Sequence, residues 1–371
     1  MKFYNYNPPS EISECVSASM LKVIQEGQFI GGPQVMKFEE LFGAYTGSNE
    51  VVTCGNGLDA LSLCILDLNL PPESNIGVSG HTFFATWLAI LNSGHIPIGI
   101  DADIQNLQMS TSSLKETLDR ENLRAVIYVH MHGILGDIKS IAEICKSFSI
   151  PLIEDCAQAH GLKLETKHVG TFGDFGAFSF YPTKNLPALG DAGAIITSNK
   201  NLDLIRSKAN YGWKIHDREK HETIGINSRM DTIQAAVLNV NLEYLDSFNL
   251  HRKRIAEMYI EVLEQSSQIH SLPIDTQSVW HHFPIRVERR REFSDFLESR
   301  QIPWKIHYAT PCHLQPAYLK TLSSSSSSRS LQEVEEISKT ILSLPLHPWM
   351  TDEEVQMVTH ALRDWITLNE S

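Results

Sequence analysis

The segment from Gly170 to Thr197 reads GTFGDFGAFSFYPTKNLPALGDAGAIIT and contains a single lysine, Lys184. Two short runs in it are typical of strands, Ala177–Tyr181 and Gly193–Thr197, and a turn rich in proline and glycine joins them. The residues around the lysine are mostly small, aromatic or apolar. Such surroundings lower the pKa of a lysine and free its amine to act as a nucleophile. A lone loop lysine is, however, more often a solvated surface residue.

A carboxylate 29 residues upstream gives this lysine a partner. The run IPLIED, from Ile150 to Asp155, is predicted to be a buried strand that presents Asp155 at its C-terminal end. A strand-end aspartate followed by a reactive lysine is the pairing that pyridoxal phosphate requires. The aspartate keeps the pyridine nitrogen protonated, and the lysine binds the cofactor covalently. Together with Gln158, the pair predicts a pyridoxal-phosphate site with Lys184 and Asp155 as its catalytic residues.

Composition excludes several other classes of protein. The chain has 371 residues and a formal charge of −13, and no basic cluster stands out, which argues against binding to nucleic acid. The acidic surface argues against docking on anionic lipid, and no apolar run is long enough for a membrane span. The N-terminus, MKFYNYNPPS, lacks the apolar core of a signal peptide. Six cysteines without C-x-x-C spacing indicate no disulfide framework. These features favour a cytoplasmic enzyme.

The fold class follows from the alternation of strand and helix patterns. Predicted strands lie at Val51–Thr53, Ile76–Ser79, Ile96–Ile100, Ala125–Val129 and Leu152–Ile153, with helices at Leu58–Asp67, Phe84–Ser93, Ser112–Arg120 and Ile138–Phe148 between them. This order indicates an α/β fold with a mostly parallel sheet covered by helices on both faces. We assign residues 1–250 to this large domain, which ends with a predicted helix at Asp231–Phe248.

Residues 251–371 are predicted to form a smaller α+β domain. Its predicted elements are helices Arg252–Glu264, Glu292–Ser299, Leu331–Leu342 and Asp352–Ile366, and strands Trp280–Val287 and Trp304–His307. The run of six serines, Ser323–Ser328, is predicted to be a mobile surface loop.

A glycine turn near the start of the chain is suited to a phosphate. After the strand Val51–Thr53, Gly55, Asn56 and Gly57 lead into the helix that begins at Leu58. Free N–H groups at a helix N-terminus bind anions. Glycine turns before helices are common, so this signal alone is weak.

Three motifs together resemble the DegT/DnrJ/EryC1/StrS family of sugar aminotransferases. They are EDCAQAHG from Glu154, GDFGAFSFYPTKNLPALGDAGAIIT from Gly173, and GINSRMDTIQAAVL from Gly225. The similarity runs nearly end to end, from GQFIGGPQVMKFEELFGAYTG to LSLPLHPWM. The resemblance implies fold type I, the aspartate-aminotransferase-like fold of pyridoxal-phosphate transferases.

The resemblance also implies roles for individual residues. The predicted cofactor-binding residues are Gly57, Leu58, Phe83, Asp155, Gln158, Ser179, Lys184 and Asn227, and the predicted substrate-binding residues are Tyr181 and His307. In the family, the residue matching Phe83 stacks on the cofactor ring and the one matching Ser179 binds its phosphate. The asparagine matching Asn227 reaches from one subunit into the phosphate site of the other, which implies a homodimer with shared active sites.

Several of these residues have a purely structural alternative. Phe83 is alternatively a core aromatic, Ser179 a structural strand serine, and Asn227 an N-terminal signal for the next helix. The sequence also departs from the family pattern: Leu58 stands where many relatives have threonine, and Cys156 and Pro187 stand where alanine and glycine are common. No metal site is predicted, because the histidine pairs at His130/His132 and His281/His282 lack zinc-like partners. The glycines Gly170, Gly173 and Gly176 do not have dinucleotide-binding spacing.

The reaction implied is amino transfer, with L-glutamate as the expected donor, to a nucleotide-linked keto-sugar. The FYPTKNLPALGDAGA segment most resembles members that aminate carbon 3 of the sugar. Two acceptors stay open, a dTDP-linked 3-keto-6-deoxyhexose and a UDP-linked 3-keto-N-acetylglucosamine, and the implied context is biosynthesis of surface polysaccharide, lipopolysaccharide or lipid A. Two alternatives also remain. A sugar 3-dehydratase is one, although such relatives carry histidine in place of the lysine, and a non-catalytic regulator that binds the cofactor is the other.

Overall fold

The computed structural model describes residues 1–48, 50–198, 202–214, 217–272, 277–322 and 330–369. The serine run Ser323–Ser328 therefore lies outside the described residues, and its predicted mobility stays a prediction. Among the described residues, no helix combines the length and the apolar character that crossing a lipid bilayer requires.

A seven-stranded sheet, counted over the described residues, forms the centre of the molecule. Its strands are β1 (Val51–Cys54), β2 (Asn75–Ser79), β3 (Ile96–Ile100), β4 (Leu123–Val129), β5 (Leu152–Asp155), β8 (Phe175–Ser179) and β9 (Gly193–Thr197), and short hairpin strands β6 (Lys163–Leu164) and β7 (Lys167–His168) lie outside it. Their order is β1-β9-β8-β5-β4-β2-β3. Strands β3, β2, β4, β5 and β8 run parallel, and β9 is antiparallel to both of its neighbours. The predicted mostly parallel α/β fold is confirmed.

Helices cover both faces of the sheet. Their bounds are α1 (Ser10–Glu26), α2 (Pro33–Thr46), α3 (Gly57–Asp67), α4 (Phe84–Asn92), α5 (Thr111–Arg120), α6 (Ile138–Ser147), α7 (Leu202–Ala209) and α8 (Thr232–Leu263). Strand side chains alternate between the faces. Ala125 and Ile127 of β4 pack with α3 and α4, whereas Val126 and Tyr128 pack with α5 and α6. Helices α2 and α8 pack behind Phe178 of β8.

A second, antiparallel sheet lies toward the C-terminus. It consists of β12 (Ile269–Ser271), β13 (Phe283–Val287) and β14 (Ile341–Leu344) in that order. The accompanying helices are α9 (Arg290–Ser299), α10 (Pro316–Leu319), α11 (Gln332–Thr340) and α12 (Asp352–Asn369), and a hairpin of β10 (Trp213–Lys214) and β11 (Asp217–His221) precedes α8. One apolar cluster joins this sheet to the last turns of α8, around Tyr259 and Leu263.

Three secondary-structure predictions for this region are wrong. The two predicted helices Asp231–Phe248 and Arg252–Glu264 are one continuous helix, α8. The segment Trp304–His307 is no strand, and its backbone meets β14 at an isolated bridge between Lys305 and Ser343. The predicted helix Leu331–Leu342 ends at Thr340, and β14 begins at Ile341. The predicted boundary after residue 250 falls inside α8, and the division into two domains stays a prediction.

The parallel strands bring their C-terminal ends to one edge of the large sheet. Asp155 ends β5 and Ser179 ends β8, and the register pairs Asp155 with Ala177. Cys54, the end of β1, pairs with Gly193 at the start of β9, so the glycine turn that follows β1 reaches the same edge. In open α/β sheets this edge is where ligands bind. We call it the site edge.

Candidate active site

The loop that carries Lys184 is fixed at both ends. The N–H of Phe180 donates to the carbonyl of Ala192 at 2.8 Å, which continues the pairing of β8 with β9 beyond the strands. The N–H of Lys184 then donates to the carbonyl of Tyr181 at 2.8 Å and closes a turn. On the other side, the amide of Asn185 donates to Asn249 of α8 at 2.8 Å. These hydrogen bonds fix the turn that carries the lysine at the site edge.

The electrostatic surroundings of Lys184 favour a free amine. Burial lowers the pKa of its side chain to about 8, and the carboxylate of Asp155 acts in the opposite direction. A lysine with this pKa is partly neutral near pH 7, whereas an ordinary lysine is almost wholly charged. The predicted lowering of the Lys184 pKa thus agrees with the structure, and Asp155 lies within its electrostatic range.

This pKa gives a direct test. In the protein freed of cofactor, an amine-selective reagent is expected to label Lys184 with a half-maximal rate near pH 8, because only the neutral amine reacts. A free lysine derivative has a pKa of about 10.4 and should reach half-maximal labelling at a correspondingly higher pH. The measurement is peptide mass spectrometry across a pH series, with that derivative as internal reference. A profile for Lys184 that coincides with the reference would contradict a lowered pKa.

Asp155 is buried and held by two hydrogen bonds. Its Oδ2 accepts from the hydroxyl of Thr86 at 2.9 Å, and its Oδ1 accepts from the N–H of Ala157 at 3.1 Å. Burial raises the pKa of Asp155, and these two hydrogen bonds and the Lys184 charge lower it in part. Thr86 was not among the residues predicted from the sequence. It could have been found from its position one helical turn after Phe83, which places it on the first turn of α4 at the site edge.

The N-terminus of α3 forms a cradle beside Ser179. The N–H groups of Gly57 and Leu58 donate to no group in the described part of the chain, whereas the next N–H, of Asp59, is capped by Asn56. A side chain at Gly57 would place its Cβ 2.6 Å from the Cβ of Ser179, so only glycine allows this approach. Two free amides and a hydroxyl at a helix N-terminus are the donor set that a phosphate requires.

Phe83 and Gln158 both interact with Tyr308. The Phe83 side chain is 56% exposed, and its ring centroid lies 5.5 Å from that of Tyr308. This exposure is unlike a core aromatic and agrees with the predicted role in stacking. Gln158 is buried, and its Oε1 accepts from the main-chain N–H of His132 at 2.6 Å. Its side chain also interacts with the Tyr308 hydroxyl.

The two predicted substrate residues differ in accessibility. Tyr181 is 49% exposed and lies two residues after Ser179 on the lysine loop. His307 is buried, and both of its ring nitrogens are used within the protein: Nε2 contacts the Tyr4 hydroxyl at 3.2 Å and Nδ1 contacts Ser343 at 2.9 Å. A hydrogen bond from His307 to a substrate would therefore require one of these contacts to break.

Asn227 is exposed, whereas the next residue contacts the start of α3. Its neighbour Ser228 is buried, accepts from the N–H of Gly55 at 2.9 Å and donates to Asp59 at 2.7 Å. The Asn227 side chain is exposed, and its backbone forms an isolated bridge with Asn210. Successive side chains of an extended segment point in opposite directions.

One group of buried side chains resembles a metal site. His130, Glu154 and Cys156 place ligand atoms within 4.8 Å of one another. The Glu154 carboxylate, however, already accepts from His130 at 2.8 Å and from the N–H groups of Gly170, Phe172 and Gly173 at 2.7 Å each. With its oxygens engaged, Glu154 holds the segment before β8 in place.

The donors at the site edge fit pyridoxal phosphate. Gly57, Leu58 and Ser179 suit its phosphate, the buried carboxylate of Asp155 suits a protonated pyridine nitrogen, and the amine of Lys184 suits its aldehyde. Exposed Phe83 offers an aromatic face. Each of these residues was predicted from the sequence, and their roles stay proposals.

Comparison with known proteins gives a consistent result. The model of the DegT/DnrJ/EryC1/StrS aminotransferase family matches residues 10–363. A Streptomyces venezuelae protein named dTDP-3-amino-3,4,6-trideoxy-alpha-D-glucose transaminase is 34% identical over 359 residues, which cover 96% of this chain and 93% of that protein. The dTDP-3-amino-3,6-dideoxy-alpha-D-galactopyranose transaminase of Aneurinibacillus thermoaerophilus is 36% identical over 94% of each chain.

A solved structure of similar sequence has the same fold. The crystal structure of Streptomyces venezuelae DesV in complex with a ketimine intermediate superposes with a TM-score of 0.90 at 33% identity, covering 96% of this chain and 95% of that one. The resemblance read from the three sequence motifs is confirmed.

Proposed function

Because the chain belongs to the DegT/DnrJ/EryC1/StrS aminotransferase family, we propose that it transfers an amino group to carbon 3 of a nucleotide-linked 3-keto-sugar. Membership makes it an aminotransferase that uses pyridoxal 5′-phosphate. The observation that carries the proposal is the pair of Lys184 and Asp155 at the site edge, next to the cradle at Gly57. We favour a dTDP-linked 3-keto-6-deoxyhexose, because both relatives compared above are named for dTDP-linked 3-amino-6-deoxy sugars.

When bound, the cofactor supplies an electron sink for the carbon from which the proton leaves. The chain's own residues then have distinct tasks. Asp155 keeps a proton on the pyridine nitrogen, because its carboxylate is buried and held by Thr86 and Ala157. Lys184 holds the cofactor in the resting state, and its free amine moves a proton at the substrate carbon. Its lowered pKa leaves part of the amine neutral for this task.

We propose L-glutamate as the amino donor and a cytoplasmic location, both by analogy with the family. The experiment that tests the function is turnover with glutamate and a panel of dTDP- and UDP-linked 3-keto-sugars, with the product identified by mass. Formation of a 3-amino-sugar from a dTDP-linked acceptor is expected. Turnover of the UDP-linked acceptors alone would correct the substrate, loss of water without amino transfer would indicate a dehydratase, and no reaction with any acceptor would favour a regulatory protein.

We further propose a homodimer in which Asn227 serves the phosphate site of the other subunit. Its exposed side chain, next to a serine that contacts the start of α3, supports this assignment. Each site of a two-fold dimer would then take its lysine from one chain and its asparagine from the other.

Mixing two inactive variants tests this arrangement. Lys184→Ala and Asn227→Asp are each expected to be inactive as homodimers, the second because a carboxylate repels a phosphate. In the mixed dimer one site carries both lesions and the other carries neither. Random subunit exchange is therefore expected to restore about a quarter of wild-type activity, because about half of the dimers are mixed and each has one intact site.

The control places both lesions on one chain. If sites are shared, a mixed dimer of one wild-type chain and one double-variant chain has a lesion in each site. This mixed dimer should therefore be inactive. If Asn227 serves its own chain, this control dimer keeps one good site, and the first mixture recovers nothing. That pair of results, with exchange confirmed by native mass spectrometry, would overturn the shared site.

A further inference from the structure

Four buried histidines, two of them within electrostatic range of Lys184, are linked through the Tyr4 hydroxyl in one chain of hydrogen bonds. The contacts are His81 Nε2 to His132 Nε2 at 3.1 Å, His132 Nδ1 to His282 Nδ1 at 3.3 Å, His282 Nε2 to the Tyr4 hydroxyl at 3.1 Å, the same hydroxyl to His307 Nε2 at 3.2 Å, and His307 Nδ1 to the Ser343 hydroxyl at 2.9 Å. We call this set the histidine chain. It joins loops at the site edge to β14 through the N-terminal segment.

The rings of the histidine chain are held neutral. Burial lowers the pKa of His81 to about 4 and that of His307 to about 3, and it lowers the pKa of His132 and His282 well below the ordinary value. The positive charge of Lys184 acts in the same direction on His282 and His307. These two rings therefore lie within electrostatic range of the reacting amine.

A neutral imidazole has one N–H donor and one acceptor nitrogen, so the five contacts are coupled. If Tyr4 donates to His282, then His282 donates through Nδ1 to His132, and His132 donates through Nε2 to His81. On the other side, His307 donates to Tyr4 and Ser343 donates to His307. Reversing every donor satisfies all five contacts equally. The chain thus has two proton arrangements, and the Tyr4 hydroxyl is the single link between its halves.

The N-terminal segment holds this hydroxyl in place. Phe3 is buried, with its ring 4.7 Å from that of Tyr4 and 6.0 Å from that of His307. The Lys305 ammonium lies 4.7 Å from the centre of the Tyr4 ring. The other groups that act on Tyr4 electrostatically are Tyr6, which raises its pKa, and the guanidinium of Arg252, which lowers it. His282 and His307 stack in parallel below the hydroxyl, with centroids 3.9 Å apart.

We propose that Tyr4 is a positioning residue of the active site, whose hydroxyl sets the tautomer and orientation of His282 and His307 beside Lys184. The role in catalysis rests on the proposed function. On one side, His307 precedes Tyr308, whose ring lies against that of Phe83. On the other side, the histidine chain orients the ring of His132, whose main-chain N–H donates to Gln158. The hydroxyl of Tyr4 thereby acts at a distance on two predicted cofactor contacts. It touches none of the reacting atoms itself.

The test is Tyr4→Phe in the holoenzyme. Without the hydroxyl, the Nε2 atoms of His282 and His307 both lose their partner, while burial still holds the two rings neutral. The two halves of the histidine chain are then no longer coupled, so the nitrogen that carries the proton in each ring is no longer fixed by Tyr4. Nitrogen-15 spectra of the holoenzyme with labelled histidine are expected to show a changed tautomer of His282 or His307, and kcat/KM for the sugar should fall about tenfold.

Tyr259→Phe is the matched control. Tyr259 is fully buried, and its hydroxyl donates to the carbonyl of Pro345 at 3.0 Å. Losing this bond should lower the melting temperature without changing the tautomers of the histidine chain. A Tyr4→Phe enzyme with wild-type histidine tautomers and kcat/KM within twofold would overturn the proposal. If Tyr4→Phe does not fold, Ser343→Ala opens the chain at His307 Nδ1, where a changed His307 tautomer is expected and an unchanged one would overturn the proposal.

Neutron diffraction of the holoenzyme reads the protons directly. The proposal requires one proton on each of the four rings, with the Tyr4 hydroxyl donating to one neighbour and accepting from the other. A doubly protonated ring, or a Tyr4 proton directed elsewhere, would overturn it. Neither this measurement nor the nitrogen-15 spectra use a sugar. If the wild-type enzyme aminates no keto-sugar but Tyr4→Phe changes the histidine tautomers, the proposed function is refuted and the positioning role stands.

Discussion

Lys184→Ala is expected to abolish amino transfer, with kcat falling by about 10⁴-fold or more. The variant loses both the covalent attachment of the cofactor and the amine that moves the proton at the substrate carbon. Neighbouring histidines do not replace this amine, because burial lowers their pKa and makes them weak proton acceptors. Turnover with glutamate and a keto-sugar measures the effect.

The fold of this variant should persist, because the turn is held by main-chain hydrogen bonds and by Asn185. Cofactor is expected to remain bound through the α3 cradle, but to dialyse away much faster than from wild type. The control is Lys167→Ala, which should keep wild-type activity. Lys167 lies on the β6–β7 hairpin outside the site edge, and its ammonium lies over the Phe172 ring. Turnover of Lys184→Ala within tenfold of wild type would rule out its catalytic role.

Asp155→Asn is expected to slow proton transfer by roughly 10²- to 10³-fold, because a neutral amide cannot keep a proton on the pyridine nitrogen. The side chain has the same size, so the loss of stability should be small. Single-turnover rates with glutamate, followed by cofactor absorbance, give the comparison.

Thr86→Val separates charge from orientation in this prediction. It removes the hydrogen bond of 2.9 Å to Oδ2 but keeps the carboxylate, and we expect a decrease of about tenfold or less. If Asp155→Asn is no slower than Thr86→Val, the carboxylate is structural and its charge has no role in catalysis.

Much of the large sheet was predictable because its strands are local apolar runs. The run Ala125–Val129 predicted β4, which extends from Leu123 to Val129. Asp155 was placed correctly at a strand end because the apolar run stops there. Burial on both faces leaves little room for another interpretation of such runs.

The C-terminal part was harder, because its elements depend on distant partners. A break in α8 was predicted near Leu250 and His251, but the buried polar residues on either side bond to other segments. Asn249 donates to the carbonyl of His160, and Arg252 donates through Nη1 to the carbonyls of Trp280 and Leu346. The apolar run Ile341–Leu344 has no periodicity that separates a helix end from a strand. Its pairing with β13, more than 50 residues earlier, decides the outcome.

Residues with proposed direct roles in the site were found more readily than those that contact and orient them. Lys184, Asp155 and Ser179 lie in motifs that could be read locally. Thr86 contacts a carboxylate 69 residues away, and Tyr4 contacts His307 across 303 residues. The place of Thr86 after Phe83 puts it at the site edge, but no sequence signal links it to Asp155 or links Tyr4 to His307, since only the folded chain brings these pairs together.

Borohydride reduction of the purified holoenzyme tests the central claim most directly. Reduction fixes a covalently bound cofactor to its lysine, and mass spectrometry of the peptides then identifies the attachment site. The account predicts a yellow protein and a single labelled residue, Lys184, in the peptide around FYPTKNLPALG. Label on any other lysine, or no label on a protein saturated with cofactor, would contradict it.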